Sequence, residues 1–484
     1  MSIGRRIFYN TLAQSVGKIF AVILGLITIG FLSRYLQEQG FGQYATVIAF
    51  LGFWSVVADF GLYLYVVREI SKPGTDHAKI ISNALGLRLT TALVFLLLGA
   101  AIAWFLPYDP IVKKTMFIGI GAFLFVSLNQ VLVGIFQKHL VQHLVVISET
   151  VGRAVNLALI YFFLKQGLTL PWFVLALLAA NVVIFVLSVN FAKHYEKFGI
   201  AFDLRFWKYI LEVTWPLVFS VILNLIYFKT DTIILSILKT PQEVGVYSLP
   251  YKLLEGLLAF PAMFVGLVMP LLSASAFVAW EKFGNILQRS FDALLLIAVP
   301  VLIAVLFFAN PIVNLIAGKQ EYLDSPAVLK ILIFAAVVIF LGTLFGYAVV
   351  AINQQKAMVK GYLLAALAGL VFYFILIPPF GYWGAAAGTV ATEIIVAIYA
   401  YALVRNVSRQ KISWKIAWPI LPAALVLTIF FQVVNIFWIL EAIAGGIIYI
   451  IIIILTKAVP LDFAKEILFI PRSRVSIHQP PHEP

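Results

Sequence analysis

The feature that most limits what this chain can become is the recurrence of apolar blocks separated only by short polar breaks. At ~1.5 Å of rise per residue, a helical block of ~20 residues matches the ~30 Å hydrocarbon core of a bilayer. The pattern predicts helices at 8–34, 42–67, 80–106, 115–137, 144–164, 170–192 and 210–238, then at 244–273, 285–309, 327–352, 358–377, 382–404, 416–436 and 438–456. Asn435 and Glu441 form only a weak break, so the last two blocks could also be one re-entrant or broken unit. Only 11% of residues are charged, against about 25% in soluble domains. The chain is therefore expected to be an all-α polytopic membrane protein.

Several chemistries are excluded at the same stage. There is no cysteine, hence no disulfide framework or thiolate metal site. No Walker loop, glycine-rich phosphate cradle, HExxH pair or cysteine nucleophile occurs, which leaves no visible ATP engine or hydrolase site. No cofactor is expected. The net charge of +13 is scattered through loops and does not form a basic face for nucleic acid; it reports topology instead. Of the 34 lysines and arginines, 22 fall on the side of Arg5 and Arg6, 7 on the opposite side and 5 within predicted spans. That bias places both termini on the cytoplasmic side of the membrane.

The first block is too long for a signal-peptide core and lacks a small-x-small cleavage site, so it is expected to stay as a helix. It carries Asn10, Gln14 and Lys18 at i, i+4 and i+8, stacked along one helical face. Lys18 lies roughly 16 Å past the basic edge at ~1.5 Å per residue, where an ammonium turns toward protein or a water-filled cavity. The other intramembrane bases are Arg88, Arg153, Lys229 and Lys252. Glu149 and Arg153 are spaced i, i+4 and Lys252 and Glu255 i, i+3, so both can pair locally; Lys229 and Asp231 fall on different faces. Lys18 and Arg88 have no acid at helical spacing, so their partners must come from elsewhere in the bundle, from a ligand or from water. These seven residues are the expected lining of a central cationic cavity suited to phosphate. Asp59, Glu149, Asp231, Glu255 and Glu393 are candidates for ion coupling or gating, with Asp59 in Asp59-Phe60-Gly61-Leu62 also marking a kink.

A weak internal repeat pairs Ser33 and Phe41-Gly42-Gln43-Tyr44 with Ser236 and Val244-Gly245-Val246-Tyr247. The copies follow the first and seventh spans, which implies two six-helix lobes of like orientation related by an axis along the membrane normal. The expected organisation is an N-terminal lobe at 1–208, a C-terminal lobe at 209–405, helices 13 and 14 at 406–457 and a cytoplasmic tail at 458–484. Lys193 to Lys208, with Phe198, Phe202, Phe206 and Trp207, is a candidate interfacial helix. The Pro-rich tail is expected to lack a packed core.

Taken jointly and in order, a set of short motifs resembles a known family. They are Arg34-Tyr35-Leu36, Phe41-Gly42-Gln43-Tyr44-Ala45, Asp59-Phe60-Gly61-Leu62 and Arg68-Glu69 in the first half. The second half adds Trp215-Pro216-Leu217, Asp231-Thr232-Ile233-Ile234-Leu235, Val244-Gly245-Val246-Tyr247 and Gly381-Tyr382-Trp383-Gly384-Ala385-Ala386. The pattern resembles the oligosaccharide and polysaccharide flippases of the multidrug, oligosaccharidyl-lipid and polysaccharide exporter superfamily. The resemblance implies a two-lobed bundle of 14 helices with alternating access. Its implied cargo is an oligosaccharide on a polyprenyl-pyrophosphate lipid, moved to the outer leaflet. It is consistent with coupling to an H+ or Na+ gradient and with partners such as membrane lipids, a polysaccharide polymerase and other assembly proteins. Competing readings are a flippase for lipid II or another lipid-linked precursor, a cation-coupled drug antiporter and, from another class, a membrane polysaccharide polymerase or ligase. Five intramembrane bases weigh against the antiporter, and outer loops of about ten residues or fewer against the enzyme.

Overall fold

The computed structural model describes residues 3–276, 278–318 and 321–456, except for the side chains of 3–16, 18 and 215–221. Among the described residues every regular element is an α-helix. The tail expected at 458–484 lies outside them. Eleven of the helices are long and apolar enough to cross a membrane, and the chain is a multi-pass membrane protein.

The first two expected spans are joined differently from the sequence reading. Helix α1, Ile3–Val57, runs through both and breaks only at Gln37, which has a φ of 58°. The second span then breaks again at Asp59-Phe60-Gly61. Phe60 and Gly61 both take left-handed φ values, 47° and 65°, a conformation that glycine adopts without the Cβ penalty. The expected kink is therefore a full interruption, and α2, Leu62–Ile70, begins after it.

The remaining helices fall on the predicted blocks, most with longer ends, although α6 keeps its predicted bounds and α13 and α14 are shorter than expected. They are α3 His77–Phe105, α4 Pro110–Lys138, α5 His143–Lys165, α6 Leu170–Ala192, α7 Leu204–Leu238 and α8 Pro241–Ala276. Then come α9 Trp280–Ala317, α10 Ser325–Ala351, α11 Gln355–Phe380, α12 Tyr382–Ser408, α13 Ala417–Val433 and α14 Trp438–Leu455. Helix α9 leaves helical geometry at Phe308, one turn before Pro311, whose missing N–H and bulky ring disrupt the preceding turn. The open question at Asn435 resolves as a break between two separate helices, of which α13, with 17 residues, is the short one.

The segment after α6 is not the expected interfacial helix. Residues 196–203 have no helical turns, and α7 begins only at Leu204. The reason is a set of competing hydrogen bonds to α3. Gly199 N–H donates to Ser82 Oγ at 2.9 Å, Ala201 N–H to Ser82 O at 3.0 Å and Asp203 N–H to Asn83 Oδ1 at 3.0 Å. Asp203 in turn caps α7 by accepting from the N–H groups of Arg205 and Phe206. Trp207, expected at the membrane surface, is buried against α3.

At the same end of the bundle, Glu196 gathers the ends of three elements. It lies 2.8 Å from Lys138 Nζ and from His139 Nε2, and 3.1 Å from His77 Nδ1. Burial pushes its carboxyl upward, but the bonds from Lys138, His139 and His77 outweigh this and hold it down at about 2.

The two halves of the chain meet most closely at the opposite end, which the charge bias assigns to the outside. There α1 crosses α8 at the two copies of the sequence repeat. A methyl added at Gly42 would overlap the Pro241 carbonyl, and one at Gly245 would overlap the Glu38 carbonyl. The contact is thus reciprocal between equivalent positions of the repeat. Around it, Tyr322 N–H donates to Glu38 Oε1 at 2.8 Å, Gln43 to Asp109 at 2.7 Å, and Tyr108 and Ser236 share a 2.9 Å hydrogen bond.

Candidate functional site

Below this crossing, α1 and α4 face α7 and α8 across a cavity of about 240 Å³. Its apolar wall includes Phe53 and Phe123 from α1 and α4, and its polar wall is formed by Lys229 of α7 with Tyr251, Lys252 and Glu255 of α8. Lys252 lies about 16 Å along α8 from Pro241 at ~1.5 Å per residue, about half the depth of a ~30 Å hydrocarbon core.

The geometry of this group follows from the helix spacing. Lys252 and Glu255 share a face of α8, and their ion pair closes at 2.7 Å, as expected from i, i+3. Lys229 reaches the same carboxylate from α7 through its other oxygen, Oε1. The Lys229 ammonium also stands over two aromatic faces, 5.1 Å from the Phe228 centroid and 5.3 Å from that of Tyr251, positions that attract a cation. Tyr251 O–H donates to the Phe228 backbone carbonyl at 2.7 Å, which ties the Tyr251 ring of α8 to α7.

Arg88 occupies a different environment. The partner that the sequence left open is Asp59, at 2.8 Å, supplied by the break between α1 and α2. The guanidinium also donates to Ser127 O at 3.1 Å and to Gln130 Oε1 at 2.7 Å. Arg88 is thus enclosed by protein and reaches the cavity through Gln130, which lines it. Ser127 and Ser55 complete the connection with a 2.9 Å hydrogen bond, Ser55 being a second lining residue.

The other expected residues are dispersed. Arg153 is exposed on α5 and donates to Ala21 O of α1 at 3.1 Å; Glu149 is half-buried one turn earlier. Asp231 is fully buried behind the cavity, accepting from Tyr247 O–H at 2.6 Å and Thr389 O–H at 3.2 Å. Glu393 lies one turn beyond Thr389 on α12 and is also buried. Asn10, Gln14 and Lys18 fall among the side chains outside the description, although their backbone belongs to α1.

Sequence reading missed Gln130, Ser55, Tyr251 and Tyr247. Gln130 had a visible signal, as a polar residue inside an apolar block. Tyr247 was already in the repeat but had no assigned task.

Comparison with known proteins places this arrangement. A MatE family match covers residues 216–375. The chain is 23% identical over 397 residues to a putative O-antigen transporter of Shigella flexneri, covering 78% of this chain and 93% of that one. It is 22% identical over 429 residues to a probable low-salt glycan biosynthesis flippase, Agl15, of Haloferax volcanii, covering 83% and 84% respectively. Its fold is similar to that of the lipid II flippase MurJ in an inward closed conformation, with a TM-score of 0.78 at 14% identity over 94% of this chain and 99% of that chain. The polysaccharide biosynthesis protein family matches residues 4–276, more than half of the chain. The chain belongs to that polysaccharide biosynthesis family, whose members are membrane transporters and flippases rather than enzymes.

Proposed function

We propose that this protein flips a polyprenyl-pyrophosphate-linked oligosaccharide from the cytoplasmic to the outer leaflet of the cytoplasmic membrane, for cell-surface polysaccharide synthesis. The observation that carries the reading is the mid-membrane cavity with Lys229 and Lys252 on its polar wall. Sugars and a diphosphate need a wet, cationic passage, whereas the polyprenyl tail can remain in lipid. The reciprocal Gly42 and Gly245 crossing supports two lobes, 1–208 and 209–405, related by an axis along the membrane normal. On this reading the chain has 14 spans, helices α13 and α14 are an appendage to the 6+6 core, and both termini are cytoplasmic. Alternating access would part the lobes at one end and close them at the other.

Energy would come from an H+ or Na+ gradient acting on buried acids, with Asp231 and Glu393 the best enclosed of the five candidates. A polysaccharide polymerase on the outer face would receive the product. The test is replacement of the chromosomal flippase in hosts that lack either an O-antigen-type flippase or a lipid II flippase. Return of surface polysaccharide in the first host is the expected result. Rescue of growth only in the second would reassign the cargo to lipid II, and rescue of neither would remove the flippase reading.

A further inference from the structure

Within the cavity, the single carboxylate of Glu255 serves two bases from two helices. Oε2 takes Lys252 at 2.7 Å and Oε1 takes Lys229. All three side chains line the cavity, and each keeps between a quarter and a third of its surface open. The cluster carries a formal charge of +1, with both ammonium groups engaged by the same acid.

A carboxylate in this position occupies the donors that a diphosphate would use. Of the two donors, Lys229 is also held independently of it. Its ammonium rests on the rings of Phe228 and Tyr251, and the Tyr251 ring is tied to α7 by its hydrogen bond to the Phe228 backbone carbonyl. If the carboxylate withdraws, two ammonium groups remain facing the cavity. Among the described residues lining the cavity, Glu255 is the only acid.

We infer that Glu255 is a displaceable counter-ion. A diphosphate entering the cavity replaces its carboxylate on Lys229 and Lys252, and the carboxylate reclaims both lysines when the diphosphate leaves. This rests on the cavity being the diphosphate site, as proposed above, and adds the residue that sets affinity and release. An internal competitor lowers apparent affinity by the fraction of time the donors are occupied. A carrier needs that reduction, because two lysines in a poorly screened cavity would otherwise hold a multivalent anion too long for turnover.

The experiment titrates the purified full-length chain with farnesyl diphosphate and, separately, with inorganic pyrophosphate, using calorimetry. Glu255→Gln should bind roughly tenfold more tightly than the parent, the scale expected when an occupied site is freed. In reconstituted vesicles the same variant should move its lipid-linked cargo more slowly. Glu255→Asp keeps the charge but draws it back by one methylene, so it should give intermediate tightening; it carries the test if the Gln variant does not fold. The Lys229→Ala, Lys252→Ala double variant should lose both ligands.

If the lysine variant loses binding while both Glu255 variants bind no more tightly than the parent, the counter-ion role is overturned and the cavity stands. If the lysine variant binds both ligands normally, the diphosphate site itself is wrong. Tightening with both ligands, or with farnesyl diphosphate alone, supports exchange against a lipid headgroup; tightening confined to pyrophosphate supports exchange against a free anion.

Discussion

The two charged clusters beside the cavity are built from similar groups and arranged for different tasks. Arg88 is 1% exposed and meets Asp59, Ser127 O and Gln130. Lys229 and Lys252, 31% and 32% exposed, share one acid and face open volume. A buried pair that loses one member leaves an uncompensated charge, whereas a half-open cation can exchange its partner for a ligand. On the proposed reading, enclosure by neighbouring groups, more than depth in the membrane, separates a base that meets substrate from one that holds the fold.

The sharpest way to break this comparison is to remove each side separately. Lys229→Ala with Lys252→Ala should reduce surface polysaccharide to the background of the flippase-deficient host, with normal amounts of protein in the membrane. Two charge-assisted contacts at about 1.5 kcal/mol or more each correspond to a loss of at least ~100-fold. Substantial glycan in that strain would show that the open cluster is not the substrate contact.

Arg88→Ala should instead act on stability. Leaving Asp59 without its partner is expected to cost about 3–5 kcal/mol, read as a lower melting temperature and less inserted protein. Replacing both by apolar residues, as Arg88→Met with Asp59→Leu, should recover much of that loss. A single Arg88→Ala variant with full stability and no transport would place Arg88 alongside the lysines as a ligand contact.

The Glu196 cluster sharpens the comparison from outside the membrane and should show the smallest effect. Glu196→Gln is expected to cost about 1 kcal/mol, as for a polar network near the surface. The native-state carboxyl is held down at about 2, below the unfolded value of ~4.3, so its contribution is fully present above the unfolded value. It is lost as pH falls toward about 2. The gap in melting temperature between parent and variant should therefore be full near neutrality and narrow below about pH 4.3. A gap independent of pH would mean that the charge is not what stabilises this corner.

The sequence revealed these features unevenly, for a physical reason. Span positions were legible because bilayer thickness imposes a length that composition records. The Lys252 and Glu255 contact was legible because i, i+3 neighbours on a helix must meet. Lys229 reaches Glu255 across 26 residues, and Arg88 reaches Asp59 through a helix break, so no local period encodes either pair. The kink at Gly61 was foreseen, yet its effect of presenting Asp59 to α3 depends on packing. The expected surface helix at Lys193 to Lys208 failed because Ser82 and Asn83, more than 100 residues earlier, offer its backbone better partners.

The crossing of Gly42 and Gly245 also has a mechanical consequence. Helix α8 has 36 residues, a length of about 54 Å at ~1.5 Å per residue, and the glycine lies near one end of it. A tilt of only about 10° around such a fulcrum sweeps the far end through roughly 8 Å, for a lever of about 48 Å at the same rise. At Gly42 and Gly245 themselves backbone meets backbone, so the repacking needed as the angle changes falls on the surrounding bonds of Glu38, Gln43 and Tyr108. Small rotations at the narrow end would translate into a wide aperture at the other, and the long arm rather than a large local rearrangement would provide the stroke.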